Sequence, residues 1–528
     1  MIPKIIHQTW RDHNLPVDSG LPESWKRHNP AWEYRFWTDE DLAAFIARDY
    51  PALLPLFETA PHGVQKADIA RYLLLHKFGG LYADIDTQCY RSLDLLTDEN
   101  RVVLSQEPEE HWAHAKMRGM PMIIFNGTIA SPAGHPFWPL VTETLLRCRH
   151  GMTKSVLDTT GPLMLTGCVL KYPRQDELAI HSCHLFNPHT KDGRESTGAV
   201  FGPLAPARIS IHLWGSSWYS EPKDSTSKRL KTWIRKLRYR LTRGPYLNRE
   251  ALEKSLDRDL LARALPDNET PNIAVLIPVR DCAKHAERCI DLLRRLDYPK
   301  KNLSVAFCEG DSTDGTYELL EKLARKYADE FREIRLLQHH TGTRFKRKKR
   351  WKPEIQKTRR SAIARVRNHL IDRGLPLDAD WALWIDADVC DYPPNILKVL
   401  LSQEAKIVVP NCVKELGGAT YDQNSFLDIG TAKNASYYKH VHKGLFQPSA
   451  GLASRLHFNE LRYLDRVPLT CVGGTMLLVH ADLHRAGIRF PEIPYDDLLE
   501  TEGFGKIACD FGLQPVGLPN LEIVHVNE

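Results

Sequence analysis

Trp381-Ala382-Leu383-Trp384-Ile385-Asp386-Ala387-Asp388 runs five apolar residues straight into two carboxylates. An unbroken apolar run of this length suits a strand buried on both faces of a parallel α/β sheet. In such sheets ligands bind beyond the carboxyl ends of the strands, where this run delivers its acids. The first half repeats the pattern in Gly79-Gly80-Leu81-Tyr82-Ala83-Asp84-Ile85-Asp86. A spacing of two on an extended strand points both carboxylates the same way. Two such groups repel unless a cation lies between them. A hard divalent ion, Mg²⁺ or Mn²⁺, fits that role, with diphosphate oxygens completing its shell. It would then stabilise a departing diphosphate.

Working outward, each Asp pair sits in its own α/β pattern. In the first half a strand at Lys4–Gln8 precedes a helix carrying Lys66-Ala67-Asp68-Ile69-Ala70-Arg71-Tyr72. Asp68 and Arg71 are three apart and share a helix face. Gly79-Gly80 suits the helix end, where a left-handed backbone is needed. In the second half, strands at Ile273–Pro278 and Leu303–Cys308 alternate with a helix near Ala283–Leu296. Glu309-Gly310-Asp311-Ser312-Thr313-Asp314-Gly315-Thr316 then opens another helix. Strand–helix–strand–helix order predicts a parallel sheet with helical crossovers. The length of 528 residues favours two domains, placed at 1–220 and 271–528, with a linker at 221–270.

Within the linker, Leu230, Trp233, Ile234, Leu237 and Leu241 share helical spacing. Lys and Arg fill much of the remainder of 227–243, and no acidic residue interrupts them. Two readings stand at this point. The helix lies on an anionic membrane surface, or it packs its stripe on protein and leaves a solvated basic face. A second basic run, Lys346-Arg347-Lys348-Lys349-Arg350, is a solvated loop or a phosphate-clamping lid.

Composition excludes several classes. The chain is 42% hydrophobic and 26% charged, with a net charge of only +5, which suits an anionic donor but does not call for nucleic acid. The eleven cysteines are scattered without a Cys-x-x-Cys pair, as expected of reduced thiols rather than disulfides or a zinc site. Nothing approaches the roughly 20 apolar residues of a bilayer span. Met1–Trp10 has no basic-then-apolar leader pattern, so a cytoplasmic setting is expected, with peripheral contact at the inner membrane face.

The strings around the first Asp pair resemble the glycosyltransferase family with a DXD-containing sugar-binding region. They are Ile5-Ile6-His7-Gln8-Thr9-Trp10, Asn126-Gly127, Gly134-His135-Pro136, Thr160-Gly161-Pro162 and His212-Leu213-Trp214-Gly215-Ser216-Ser217-Trp218. That resemblance implies that Asp68, Arg71 and Asp84 hold the donor sugar and ribose and that Asp86 ligates the metal. His212 is a metal or phosphate ligand, Trp10 stacks on the base, Asn126 belongs to the donor site, and Ser217 and Trp218 close over the diphosphate.

The second half resembles a different family, the mannosyltransferase subunits of yeast mannan polymerase complexes. Arg359-Arg360-Ser361-Ala362-Ile363-Ala364-Arg365-Val366-Arg367-Asn368, Tyr421-Asp422-Gln423-Asn424-Ser425, Val472-Gly473-Gly474-Thr475, Glu500-Thr501-Glu502-Gly503 and the stretch from Gly517 to His525 carry it. By this resemblance Asp386, Asp388 and His525 flank a metal. Pro278, Arg280 and Asp311 line the nucleoside pocket, Arg365 and Asn368 face the diphosphate or sugar, and Glu500 and Glu502 meet the acceptor.

Together the resemblances imply two GT-A-type domains in tandem. They imply a retaining, metal-dependent enzyme that transfers hexoses to a glycan or lipid-linked oligosaccharide. GDP-mannose is the expected donor of the C-terminal half, and the N-terminal donor is left open. A bacterial capsule or O-antigen is the expected product. Two rivals are a toxin-like transferase acting on protein, and a chain in which one half has become a glycan-binding or scaffolding module.

Overall fold

A computed structural model describes residues 1–15, 20–215, 226–265, 268–343, 352–448 and 451–526, with the side chains of 226–228 and 353–354 set aside. The chain divides into two compact units. One is Met1–Pro222 with Asn459–Leu464, and the other is Lys223–Phe458 with Asp465–Glu528.

The first unit is built on a six-stranded sheet. Its strands are β1 (Ile5–Thr9), β2 (Glu33–Trp37), β3 (Gly80–Ala83), β5 (Val102–Gln106), β6 (Ile124–Ser131) and β7 (Leu178–His181), in the order β2-β1-β3-β6-β5-β7. A small ribbon pairs β4 (Thr87–Cys89) with β8 (Ser210–His212). The Gly63–Phe78 helix ends at Gly79 (φ 64°), and Gly80 follows at φ 88°. Both must be glycine for a second reason: a Cβ on Gly79 would lie 2.5 Å from the Ala133 nitrogen, and one on Gly80 2.4 Å from the Ile5 carbonyl oxygen. The helix can therefore turn directly into the central strand.

The second unit carries a nine-stranded sheet. Strands β9 (Ile273–Val279), β10 (Leu303–Glu309), β11 (Glu333–Gln338) and β12 (Trp381–Ile385) form its parallel half, in the order β11-β10-β9-β12. Every residue of β12 is buried, as its unbroken apolar run requires. The remainder is mixed. Met476–His480 runs antiparallel to β12 and to β14 (Ile407–Val413). Val516–His525 pairs parallel with β14 and antiparallel with β13 (Val389–Asp391) and Val467–Pro468.

The expectation of parallel sheets thus holds in part: both sheets are mixed, with parallel pairing through the strands up to each Asp pair and again at β5–β7 and at β14 with Val516–His525. In the first unit too, β6 is antiparallel to both β3 and β5. The correction has a local cause. Strand–helix alternation governs the chain up to each Asp pair; beyond it the regular order lapses, and β5 and β6, with only the short Ala113–Lys116 helix and a 3-10 turn between them, pair antiparallel. All eleven cysteines are unpaired, as expected.

Each unit braces its central strand with a neutral histidine. His7 on β1 accepts from Trp37 Nε1 at 3.2 Å and meets the Gly79 carbonyl at 3.0 Å. His484 accepts from Trp384 Nε1 at 3.1 Å and meets the Ile488 carbonyl at 2.9 Å. Burial lowers both to about 4. An unfolded histidine takes up a proton near pH 6.5, whereas these folded ones do so only near pH 4. The unfolded state therefore binds more protons across that window, and stability falls as pH drops from 6.5 towards 4. Each should cost about 2 kcal/mol at pH 5 relative to pH 8. Denaturant unfolding of the parent chain and of His484→Gln at both pH values checks this: the variant should lose part of the acid-side decline.

Candidate active site

The first Asp pair does not lie along an extended strand. Strand β3 ends at Ala83, and Asp84-Ile85-Asp86 forms a turn in which Thr87 N donates to the Asp84 carbonyl at 3.1 Å. The second pair is arranged in the same way: β12 ends at Ile385, and Val389 N donates to the Asp386 carbonyl at 3.2 Å. The turn, rather than strand alternation, places the carboxylates together.

From that turn both centres follow one plan. An arginine on the preceding helix pairs with the first aspartate. Arg71 Nη2 is 3.0 Å from Asp84 Oδ1, and Arg367 Nη2 is 3.1 Å from Asp386 Oδ1. Each arginine also holds a second, buried acid: Asp68 at 2.9 Å for Arg71, and Glu500 at 3.1 Å for Arg367. A histidine from a late strand pairs with the second aspartate. His212 Nε2 and Asp86 Oδ1 are 3.2 Å apart, as are His525 Nε2 and Asp388 Oδ1. Strand pairing sets this contact, because the residue after the second aspartate faces the histidine: Thr87 opposite His212, Val389 opposite His525. The sequences around the two pairs differ, but the charge pattern Arg–Asp–Asp–His is common.

Electrostatics sorts the two aspartates of each pair. Burial raises Asp84 and Asp386, against the pull of Arg71 and Arg367. Burial also acts on Asp86 and Asp388, but the hydrogen bond and charge of His212 and His525 outweigh it and bring both below the usual carboxylate range. Asp68, fully enclosed, is pushed up to about 6 by burial in spite of Arg71. It accepts from Thr160 Oγ1 at 2.8 Å and Asn126 Nδ2 at 3.0 Å. The Asn126 carbonyl in turn accepts from Arg71 Nη1.

The donor set fits a hard divalent ion in the first centre. One ligand atom each from Asp84, Asp86 and His212 all lie within 4.8 Å of one another, and two carboxylates with an imidazole suit Mn²⁺ or Mg²⁺. In the second centre Asp386, Asp388 and His525 do not close to that spacing. There the structure joins Asp388 to His525 and gives Asp386 to Arg367.

The flanking motifs acquire physical reasons. A Cβ on Gly127 would lie 2.7 Å from Asp84 Oδ2, and one on Gly474 would lie 2.5 Å from Arg367 Nη2. Gly473 leaves room for Asp422, which accepts from Thr475 Oγ1 at 3.0 Å. Gln8 donates to the Asp84 carbonyl at 3.1 Å. Tyr421 packs its ring 4.5 Å from that of His525.

Several expected residues fall elsewhere. Asn368 is buried and bonds the Phe490 carbonyl and Glu492, each at 3.0 Å, while Arg365 is half-buried. The arginines that reach the acids are Arg360 and Arg367. Seven residues is close to two helical turns, so these two share the face that Arg365 and Asn368 leave. Glu500 and Glu502 open the Glu500–Asp510 helix, buried against Arg360 rather than presented on a loop. Arg280 donates to the Thr343 carbonyl at 2.6 Å, and Asp311 (φ 61°) accepts from Thr341 N at 2.9 Å. With Pro278 on β9 they lie at the carboxyl ends of adjacent parallel strands. Trp10, half-buried just after β1, donates from Nε1 to the Asn14 carbonyl at 3.1 Å. Ser217, Trp218 and the 346–350 basic run lie outside the described residues.

Acid-bearing turns thus lie beyond the strand ends of both mixed α/β sheets, and one of them carries a divalent-cation donor set. The family model described as a glycosyltransferase sugar-binding region containing a DXD motif matches residues 17–103, and the Anp1 model matches residues 258–494. Inositol phosphoceramide mannosyltransferase 3 of Schizosaccharomyces pombe is 37% identical over 169 residues, 31% of this chain and 44% of that protein. Mannan polymerase complex subunit mnn9 of the same yeast is 30% identical over 253 residues, 45% of this chain and 75% of that protein. The chain belongs to the Anp1 family. It spans less than half the length of the first of these relatives. A solved mannosyltransferase from Pyrobaculum calidifontis, in complex with GDP-Man and Mn²⁺, overlaps at a TM-score of 0.30 and 16% identity, covering 56% of this chain and 68% of that one.

Arg71 and Asp68 are each about 2% exposed. Removing one partner of so buried a pair strands the other charge. Arg71→Met should therefore destabilise the first unit by about 3–5 kcal/mol. Adding Asp68→Asn to that variant should recover part of the loss, as read by denaturant unfolding.

Proposed function

We propose that both halves transfer a hexose from a nucleotide sugar to a growing surface glycan, as GT-A-type domains in tandem, and that the C-terminal half uses GDP-mannose. The repeated Arg–Asp–Asp–His arrangement carries this reading. A chain that kept one half only for binding would have no need of a second set of paired charges. The names of the relatives, a mannan polymerase subunit and a mannosyltransferase, support mannose as the sugar.

Asp84, Asp86 and His212 would hold the ion in the first centre, and Asp388 with His525 in the second. When bound, Mn²⁺ or Mg²⁺ supplies Lewis-acid stabilisation to the diphosphate leaving group. The chain's own groups do the positioning. Arg71 and Arg367 aim the first aspartate of each turn. His212 and the Gly215 amide, which donates to Asp86 Oδ2 at 2.9 Å, fix the second aspartate. Asp68 and Glu500, both buried, hold those arginines in place. Arg280 and Asp311 lie where a nucleoside bound at the strand ends would be met.

Asp86→Asn and Asp388→Asn, assayed separately on donor turnover with Mn²⁺ and with EDTA, should each abolish a different transfer by about a hundredfold or more. If either substitution leaves every transfer intact, that half is not a transferase.

A further inference from the structure

The Thr226–Thr242 helix has two faces, and the second unit uses only one of them. On its inner side Thr232 Oγ1 accepts from Ala435 N at 3.0 Å, Arg235 Nη1 donates to the Ala435 carbonyl at 2.6 Å, and Tyr239 donates to Asp497. Tyr239 also packs its ring 5.3 Å from that of Tyr438. The apolar stripe points the other way: Leu230, Trp233, Ile234, Leu237 and Leu241 are 45–80% exposed. The packed-stripe reading of the sequence is therefore reversed. Polar residues fasten the helix to its own unit, and the hydrophobic ones are left outside.

The charges say what the outer face fits. At about 100° per residue, Lys231 and Arg238 fall on one flank of the stripe and Arg229, Lys236 and Arg240 on the other. All five are exposed, and the helix contains no acidic residue. A protein partner would need a long apolar groove lined with acids on both edges. A bilayer of anionic lipid presents that pattern everywhere: headgroup phosphates at the level of the flanking cations and acyl chains below the stripe. Seventeen helical residues span about 25 Å along the surface, and the long Lys and Arg stems reach back up to the headgroups. No described helix is long and apolar enough to cross a membrane, so contact of this kind is in-plane.

We propose that the Thr226–Thr242 helix docks the second unit flat on an anionic membrane surface through Leu230, Trp233, Ile234, Leu237 and Leu241. The contact does not depend on the transfer chemistry and is read without it.

The test is flotation of the full chain with phosphatidylcholine vesicles, with and without phosphatidylglycerol. The chain should float with the mixed vesicles and not with phosphatidylcholine alone, and added salt should release it. Trp233→Ser/Leu237→Ser should weaken flotation about tenfold or more, and so should Lys231→Gln/Lys236→Gln/Arg238→Gln/Arg240→Gln. These side chains are exposed, so an unchanged unfolding midpoint is expected and confirms that both variants are folded. Flotation unaffected by either variant overturns the proposal, as does equal binding to uncharged vesicles or no binding by the parent chain. Self-association in vesicle-free sedimentation that Trp233→Ser/Leu237→Ser abolishes would instead assign the face to a second copy.

Discussion

Two carboxylates two residues apart in a tight turn repel each other, and much of the design of each unit answers that repulsion. The preceding helix must arrive with an arginine facing the first acid, and a distant strand must return with a histidine facing the second. The glycine-rich segments alongside must stay clear, because a methyl group at Gly127 or Gly474 would push into the very atoms being balanced. Sheet order, helix phase and loop composition are in this sense subordinate to placing four charges. That two stretches of unlike sequence reach the same arrangement shows that the constraint is electrostatic and geometric rather than a matter of particular neighbours.

Burial makes the balance consequential. In water such pairings are worth little, but Arg71, Asp68 and Arg367 are withdrawn from solvent, where an unmatched charge is costly. The same enclosure sets the two acids of each turn apart. The one beside arginine is held by a cation that cannot lose its proton, and the one beside histidine by a cation that can. The first unit brings Asp84, Asp86 and His212 close enough together to suit a divalent ion, even with Asp84 paired to Arg71.

The strands that bear the site were legible because their signal is local. The Ile273–Val279, Leu303–Glu309 and Trp381–Ile385 runs are continuous apolar stretches with clear ends, and the structure places them within a residue or so of the expected bounds. What escaped was long-range or angular. Nothing within Asp84-Ile85-Asp86 distinguishes a turn from a strand; the hydrogen bond from Thr87 does. Arg365 and Asn368 were suggested by resemblance alone, but the phase of a helix 22 residues long is set by what it packs on, and that turned Arg367 inward. Antiparallel returns such as Met476–His480 leave no mark in the alternation of elements that precedes them. The exposed stripe of Thr226–Thr242 was visible as a pattern, but which side the protein would take was decided by Ala435 and Asp497, far along the chain.

The histidines have one more consequence. Each sits opposite the residue that follows the acidic turn, yet each is joined to it only through a strand laid down much later in the chain. Closing so long a loop is slow and is not rewarded until the pairing is made. By topology each centre is complete only when that strand is paired, for without it the second aspartate has no imidazole beside it.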